Sequence, residues 1–224
     1  MGHTASAINK GRIVRRAVIA IWGTALAVFC IVTACQNARW LRGDYREGDI
    51  IFQSLPRCEL VDAIEGATQS EWSHCGVIMR EGGKWVVYEA LGNVHHTPLV
   101  EWIRRGRNNG RFEVYRLKPG ITFDAEKLRE QMQSLWGKPY DIHYEPDDNA
   151  IYCSELVYKA YARAAGIEIG AWQALGALAW EKFEPFILTI EPAVPLERLM
   201  ITPVALTRSP LLQRIRPDRP PEAL

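Results

Sequence analysis

Hydrophobic positions fall into three regimes along the chain. Ala17 to Ala34 (AVIAIWGTALAVFCIVTA) is one uncharged apolar stretch, too long for a strand and of helical length. From residue 48 to 166, short apolar runs alternate with turn residues. Gly48-Asp49-Ile50-Ile51-Phe52 predicts a turn entering a buried strand. Leu60 to Thr68 has helical character, and Ser70 to Ser73 leads toward the next strand. His74 to Arg80 and Trp85 to Ala90, separated by Glu81-Gly82-Gly83-Lys84, predict a hairpin. Phe112 to Leu117 predicts a further strand. Asp124 to Trp136 predicts a helix capped by Asp124, with Leu128, Met132 and Leu135 spaced by four and three, stopped at Gly137. A second helix begins at Cys153, carries Leu156, Val157, Ala160, Tyr161 and Ala164 on one stripe, and stops at Gly166. Past residue 183 prolines recur, from Pro185 to Pro221, and predict extended segments wrapping the core before a frayed tail. The class is α+β: a small antiparallel sheet packed against helices.

Length bounds this to one core. A chain of 224 residues, 48% hydrophobic, buries one sizeable domain, placed at 48–214, with 215–224 as the tail. Lys10, Arg12, Arg15 and Arg16 precede the long apolar stretch, the order of an export signal. Val32-Thr33-Ala34-Cys35 resembles the bacterial lipobox, so residues 1–34 read as a signal peptide and Cys35 as a lipidated N-terminus followed by a tether over 35–47. The alternative is an uncleaved inner-membrane anchor, since the 18 apolar residues, at about 1.5 Å each, nearly span a bilayer core. Either way the domain lies outside the cytoplasm, and a lipid anchor places it in the bacterial envelope facing the periplasm, with the outer membrane as the expected site. From residue 17 onward 23 basic residues face 26 acidic ones. That balance excludes nucleic acid as a partner.

Three cysteines remain for the domain: Cys58, Cys75 and Cys153. An odd number leaves at least one thiol free in an oxidising compartment. Cys153 starts a helix, where unpaired N–H groups and the positive dipole end favour thiolate and can receive an oxyanion. Taken alone, such a cysteine is more often just a small buried hydrophobe. With Gly82-Gly83 centring the turn, His74 lies opposite Leu91 and Gly76 opposite Glu89. His74, Gly76, Ile78, Val87, Glu89 and Leu91 then share one face, and Glu89 is the diagonal neighbour of His74. A carboxylate there would orient the histidine as a thiol-activating base. Cys75, Val77, Val86, Tyr88 and Ala90 form the opposite, core face. His95, His96 and His143 read as exposed loop histidines. No Cys-x-x-Cys or His-x-x-x-His spacing organises a metal site, and no cofactor is called for.

Taken together, Gly48-Asp49-Ile50-Ile51-Phe52, Trp72-Ser73-His74-Cys75-Gly76-Val77, Tyr88-Glu89-Ala90, Gly137-Lys138-Pro139-Tyr140-Asp141 and Ile151 to Tyr161 resemble the YiiX/YaeF-like family. These are circularly permuted papain-like cysteine hydrolases related to the NlpC superfamily, and the resemblance covers about residues 44 to 215. It implies a permuted papain-like fold with Cys153 as nucleophile, His74 as base and Glu89 as third member. Tyr140 falls near the site, where it either shapes or covers it or is simply a packed aromatic. Position 75, usually apolar in relatives, is cysteine here and leaves a redox or disulfide role with Cys58 open. The expected activity is an extracytoplasmic amidohydrolase or peptidase working through a thioester, on a peptide, an amide-linked small molecule or a cell-wall substrate. The alternatives are a lipid-directed acyl hydrolase or acyltransferase, and a non-catalytic binding lipoprotein.

Overall fold

The computed structural model describes residues 43–215, together with Trp22. The expected signal peptide, the acylation site at Cys35 and the tail beyond 215 lie outside the described residues. Residues 44–215 belong to a single compact unit.

The sheet has six strands: β1 (Asp49–Gln53), β2 (His74–Glu81), β3 (Lys84–Leu91), β4 (Asn93–Pro98), β5 (Phe112–Leu117) and β8 (Leu212–Ile215). They lie in the order β4-β3-β2-β1-β5-β8, every neighbouring pair antiparallel. A two-stranded ribbon pairs β6 (Gln173–Ala174) with β7 (Leu199–Met200). The hairpin register is the expected one: Val77 faces Tyr88 and Ile78 faces Val87. Gly82 and Gly83 both take positive φ, 54° and 78°, which lets a two-residue turn follow the strand twist.

One face of the sheet carries Ile50, Phe52, Cys75, Val77, Met79, Val86, Tyr88 and Ala90, all in the main core. Against it pack α3 (Ala125–Ser134) through Leu128 and Met132, and α4 (Cys153–Ala165) through Leu156, Val157, Ala160 and Tyr161. Asp124 caps α3 by accepting from the N–H groups of Glu126 and Lys127. Gly166, at φ 67°, ends α4.

The His74 face is covered too, which the alternating pattern did not suggest. Immediately after β4, the short helix α2 (Leu99–Arg105) buries Leu99, Trp102 and Ile103. Ile51, Ile78, Val87 and Val114 on this side are fully buried. His74 and Glu89 are therefore interior groups. Two other expectations change. The supposed tether ends earlier, because Tyr45 is buried against the edge of Trp85 and Arg116 bonds to the Asp44 carbonyl at 2.6 Å. The proline-rich region is partly helical. Pro185 and Pro203 occupy first turns of α5 (Glu184–Ile187) and α6 (Pro203–Thr207), where a proline's missing N–H costs no hydrogen bond. Pairing of β8 with β5 carries the sheet to Ile215.

Candidate active site

Cys153 is the first residue of α4, and His74 is the first of β2. Packing of α4 on β2 brings the helix start to the strand start. Both side chains are buried, 2% and 1% exposed, and the imidazole is hydrogen-bonded to the Cys153 sulfur. Its Nε2 meets the Glu89 carboxylate at 2.5 Å, so Nδ1 remains for the thiol. A stacked Trp102, with ring centroids 5.8 Å apart, fixes the imidazole plane.

Glu89 has no solvent exposure, and its oxygens are saturated. It accepts from Thr97 Oγ1 at 2.5 Å, Trp102 Nε1 at 2.9 Å and Arg105 Nη2 at 2.5 Å. His95 pairs directly across the strand from Glu89 and reaches its Oε1 at 3.5 Å. His95 and His96 thus belong to β4, not to a loop as expected, and His95 is a second strand histidine beside the same acid. His143 is the exposed loop histidine anticipated, bonded to Glu191 at 3.0 Å.

Burial alone would neutralise these groups, and their mutual bonds reverse it. Against its desolvation, Glu89 is held down to about 2 by His74, Arg105 and Thr97. Burial likewise pulls the His74 imidazolium down, but Cys153 and Glu89 push it up to about 9. The Cys153 thiol lies well below the usual thiol range, because Cys75 donates to its sulfur and His74 adds charge and a second bond, together outweighing burial. Both shifts favour a thiolate–imidazolium pair.

From Cys153 runs an open groove. Its walls are apolar: Leu60 and Ile64 from α1 (Glu59–Thr68), then Trp180, Phe183, Phe186 and Ile187. Tyr140, Tyr144 and Tyr152 line it near the sulfur. The Asp141 carboxylate gathers the N–H groups of His143, Tyr144 and Glu145 at 2.9, 2.9 and 2.6 Å. That turn holds Tyr144 at φ 57° with its ring 4.6 Å from Tyr152. Burial raises the Tyr140 and Tyr144 hydroxyls, so both stay protonated. At one margin Arg198 donates to both the Glu191 carboxylate and the His143 carbonyl.

Residues 44–216 match the model of the permuted papain-like amidase enzymes, YaeF/YiiX, C92 family. The chain belongs to this family of permuted papain-like amidases. It is 32% identical over 182 residues to the uncharacterized protein YiiX of Escherichia coli strain K12, an alignment covering 77% of this chain and 87% of that protein. It also superposes on the crystal structure titled metalloprotein yiiX from Escherichia coli O157:H7, with TM-score 0.71, 34% identity, and coverage of 78% and 98% of the two chains. Among the described residues of this family member, no group of three or more His, Cys, Asp or Glu side chains converges as a metal site.

The α+β permuted papain-like fold is thus shown, and the structure brings Cys153, His74, Glu89 and Tyr140 into one place. Trp102, Thr97 and Arg105 escaped the sequence reading. Leu99, Trp102 and Ile103, spaced by three and one, give only a faint helical signal for the segment that carries Trp102 and Arg105, and Thr97 lies on β4. Cys58 is exposed and unpaired, while Cys75 is buried against Cys153. The open thiol pairing therefore turns away from Cys58.

Proposed function

We propose that the protein is a cysteine amidase that cleaves an amide whose acyl part is a long apolar chain. The observation that carries this reading is the groove of aliphatic and aromatic side chains leading to Cys153. A site for peptide termini needs unpaired charge in its walls. Here the charged lining residues His143, Glu191 and Arg198 already pair with each other.

In the proposed mechanism the Cys153 thiolate attacks the amide carbonyl. The backbone N–H of Cys153, free of an intrahelical partner at the helix start, stabilises the oxyanion. The His74 imidazolium, held by Glu89, gives its proton to the departing amine as the C–N bond breaks. Neutral His74 then takes a proton from water, whose oxygen attacks the thioester and releases the acid and the thiolate. Tyr140 shapes the wall beside the sulfur. The export signal and acylation at Cys35 would place this activity at a membrane surface of the bacterial envelope, where apolar acyl chains are held.

The test is turnover of a series of N-acyl amides of increasing chain length, with peptides, muropeptides and phospholipid esters as competitors, by wild type and Cys153→Ala. The expected result is hydrolysis that rises with chain length and vanishes in Cys153→Ala. Faster cleavage of peptides than of any acyl amide overturns the reading.

A further inference from the structure

Cys75 is a second thiol inside the site, which donates to the nucleophile but forms and breaks no bond in the acyl-transfer scheme. Its side chain points to the core face of β2 and has no solvent exposure. Both its S–H and its backbone N–H donate to the Cys153 sulfur. The two thiols are therefore hydrogen-bonded neighbours, brought together where the start of α4 packs on β2 within one core cluster. Cys153, by contrast, lines the open groove. An oxidant entering the groove meets the Cys153 thiolate first and the protonated Cys75 second.

We propose that Cys75 is a resolving thiol, which traps oxidised Cys153 as a reversible Cys75–Cys153 disulfide and so protects the nucleophile from irreversible oxidation. The oxidant is hydrogen peroxide. In the first step the Cys153 thiolate attacks one peroxide oxygen, the O–O bond breaks, and a sulfenic acid forms while hydroxide leaves, taking a proton from His74 to become water. In the second step the Cys75 thiol gives up its proton and its sulfur attacks the Cys153 sulfur. The S–O bond breaks, a second water leaves, and two thiols have been oxidised by one peroxide. Burial and the adjacent thiolate hold the Cys75 thiol protonated. Conversion of Cys153 to a neutral sulfenic acid removes the second of these and frees Cys75 to react. Cys58 is an unsuitable partner for either residue, because it is exposed at the start of α1 and Cys75 is buried against Cys153.

This inference rests on Cys153 being the nucleophile proposed above, yet it is read on the covalent structure. The full-length protein is treated with equimolar to tenfold hydrogen peroxide, alkylated, digested with trypsin and mapped by mass spectrometry. Cys58 and Cys75 share the tryptic peptide 58–80, and Cys153 lies in 130–159. The expected product links these two peptides at a mass two hydrogens below their sum, persists in Cys58→Ser, and disappears on reduction with dithiothreitol. In wild type, amidase activity falls at least tenfold with peroxide and returns with dithiothreitol. In Cys75→Ala and in Cys75→Val, a second variant that refills the core, peroxide instead drives Cys153 to the sulfinic acid and dithiothreitol restores nothing. A bond within peptide 58–80, sulfinic acid at Cys153 of wild type without the crosslink, or full recovery of a folded Cys75 variant each overturns the proposal. If reduced wild type turns over no amide, the functional reading falls, and the mapped bond still decides the role of Cys75.

Discussion

Nε2 of His74 meets Oε2 of Glu89 at 2.5 Å, with both side chains excluded from solvent and Arg105 donating to the same carboxylate oxygen. Replacing the charge while keeping the shape isolates its contribution. Glu89→Gln leaves His74 with a neutral partner, so the imidazolium is less favoured and the Cys153 thiol is deprotonated less readily. The expected loss in kcat/KM is on the order of 10²–10⁴-fold, the range for removal of an acid–base element. The pH midpoint for alkylation of Cys153 should move upward. An unchanged midpoint would show that Glu89 only fills space.

The pH dependence follows from the same groups. Cys153 is ionised well below the ordinary thiol range and His74 holds its proton up to about 9. Iodoacetamide should therefore label Cys153 rapidly at about pH 6, where a free thiol of pKa about 8.5 is almost wholly protonated. Above about 9 the imidazolium that protonates the leaving amine disappears, so kcat/KM should fall on an alkaline limb there. For stability, Glu89 runs the other way. Its carboxyl is at about 2 against an ordinary 4.5, so its contribution is complete above 4.5 and lost as pH falls toward 2. Labelling that tracks an ordinary thiol titration would remove the ion pair.

Chain-length dependence tests the groove directly. Each methylene buried contributes about 0.8 kcal/mol, or about fourfold in kcat/KM, until the groove is filled. Ala63 faces the groove between Leu60 and Ile64 on α1. In Ala63→Trp the indole occupies that volume, so long-chain amides should lose at least tenfold while an acetyl amide is unaffected. Equal losses for both would mean that the groove does not hold the acyl chain.

The hairpin and both main helices were legible because each carries its own punctuation: two glycines between alternating runs, an Asp cap, glycine stops. The register implied by that turn places Glu89 beside His74. What surrounds that pair was not legible. Asn93 to Pro98 mixes histidines with a single aliphatic residue, Val94, and hides a strand. Leu99–Arg105 is a seven-residue helix, too short a window for helical periodicity to stand out. The groove was invisible for another reason. Its walls come from α1, the turn after Tyr140, the 175–190 region and residues 200–203, which no local pattern joins.

Asp49 opens β1, is 1% exposed, and receives Arg116 from β5 through two bonds, Nε to Oδ1 at 2.7 Å and Nη2 to Oδ2 at 2.8 Å. The Arg46 N–H adds a third at 2.7 Å, so the pair ties the chain entering the domain to two central strands. Even with these partners, burial keeps the Asp49 carboxyl above its ordinary 3.8. Arg116→Met preserves much of the packing but strands the carboxylate in the interior, which should cost about 3–5 kcal/mol at neutral pH. The sign of its pH dependence is fixed by the same physics. Without Arg116 the folded-state carboxyl binds its proton more tightly than the unfolded one, so the deficit should shrink as pH falls toward about 4. Urea unfolding of both proteins at neutral and acid pH measures this. A deficit below about 1 kcal/mol at neutral pH, or one indifferent to pH, would place the pair among solvent-screened surface bridges despite its burial.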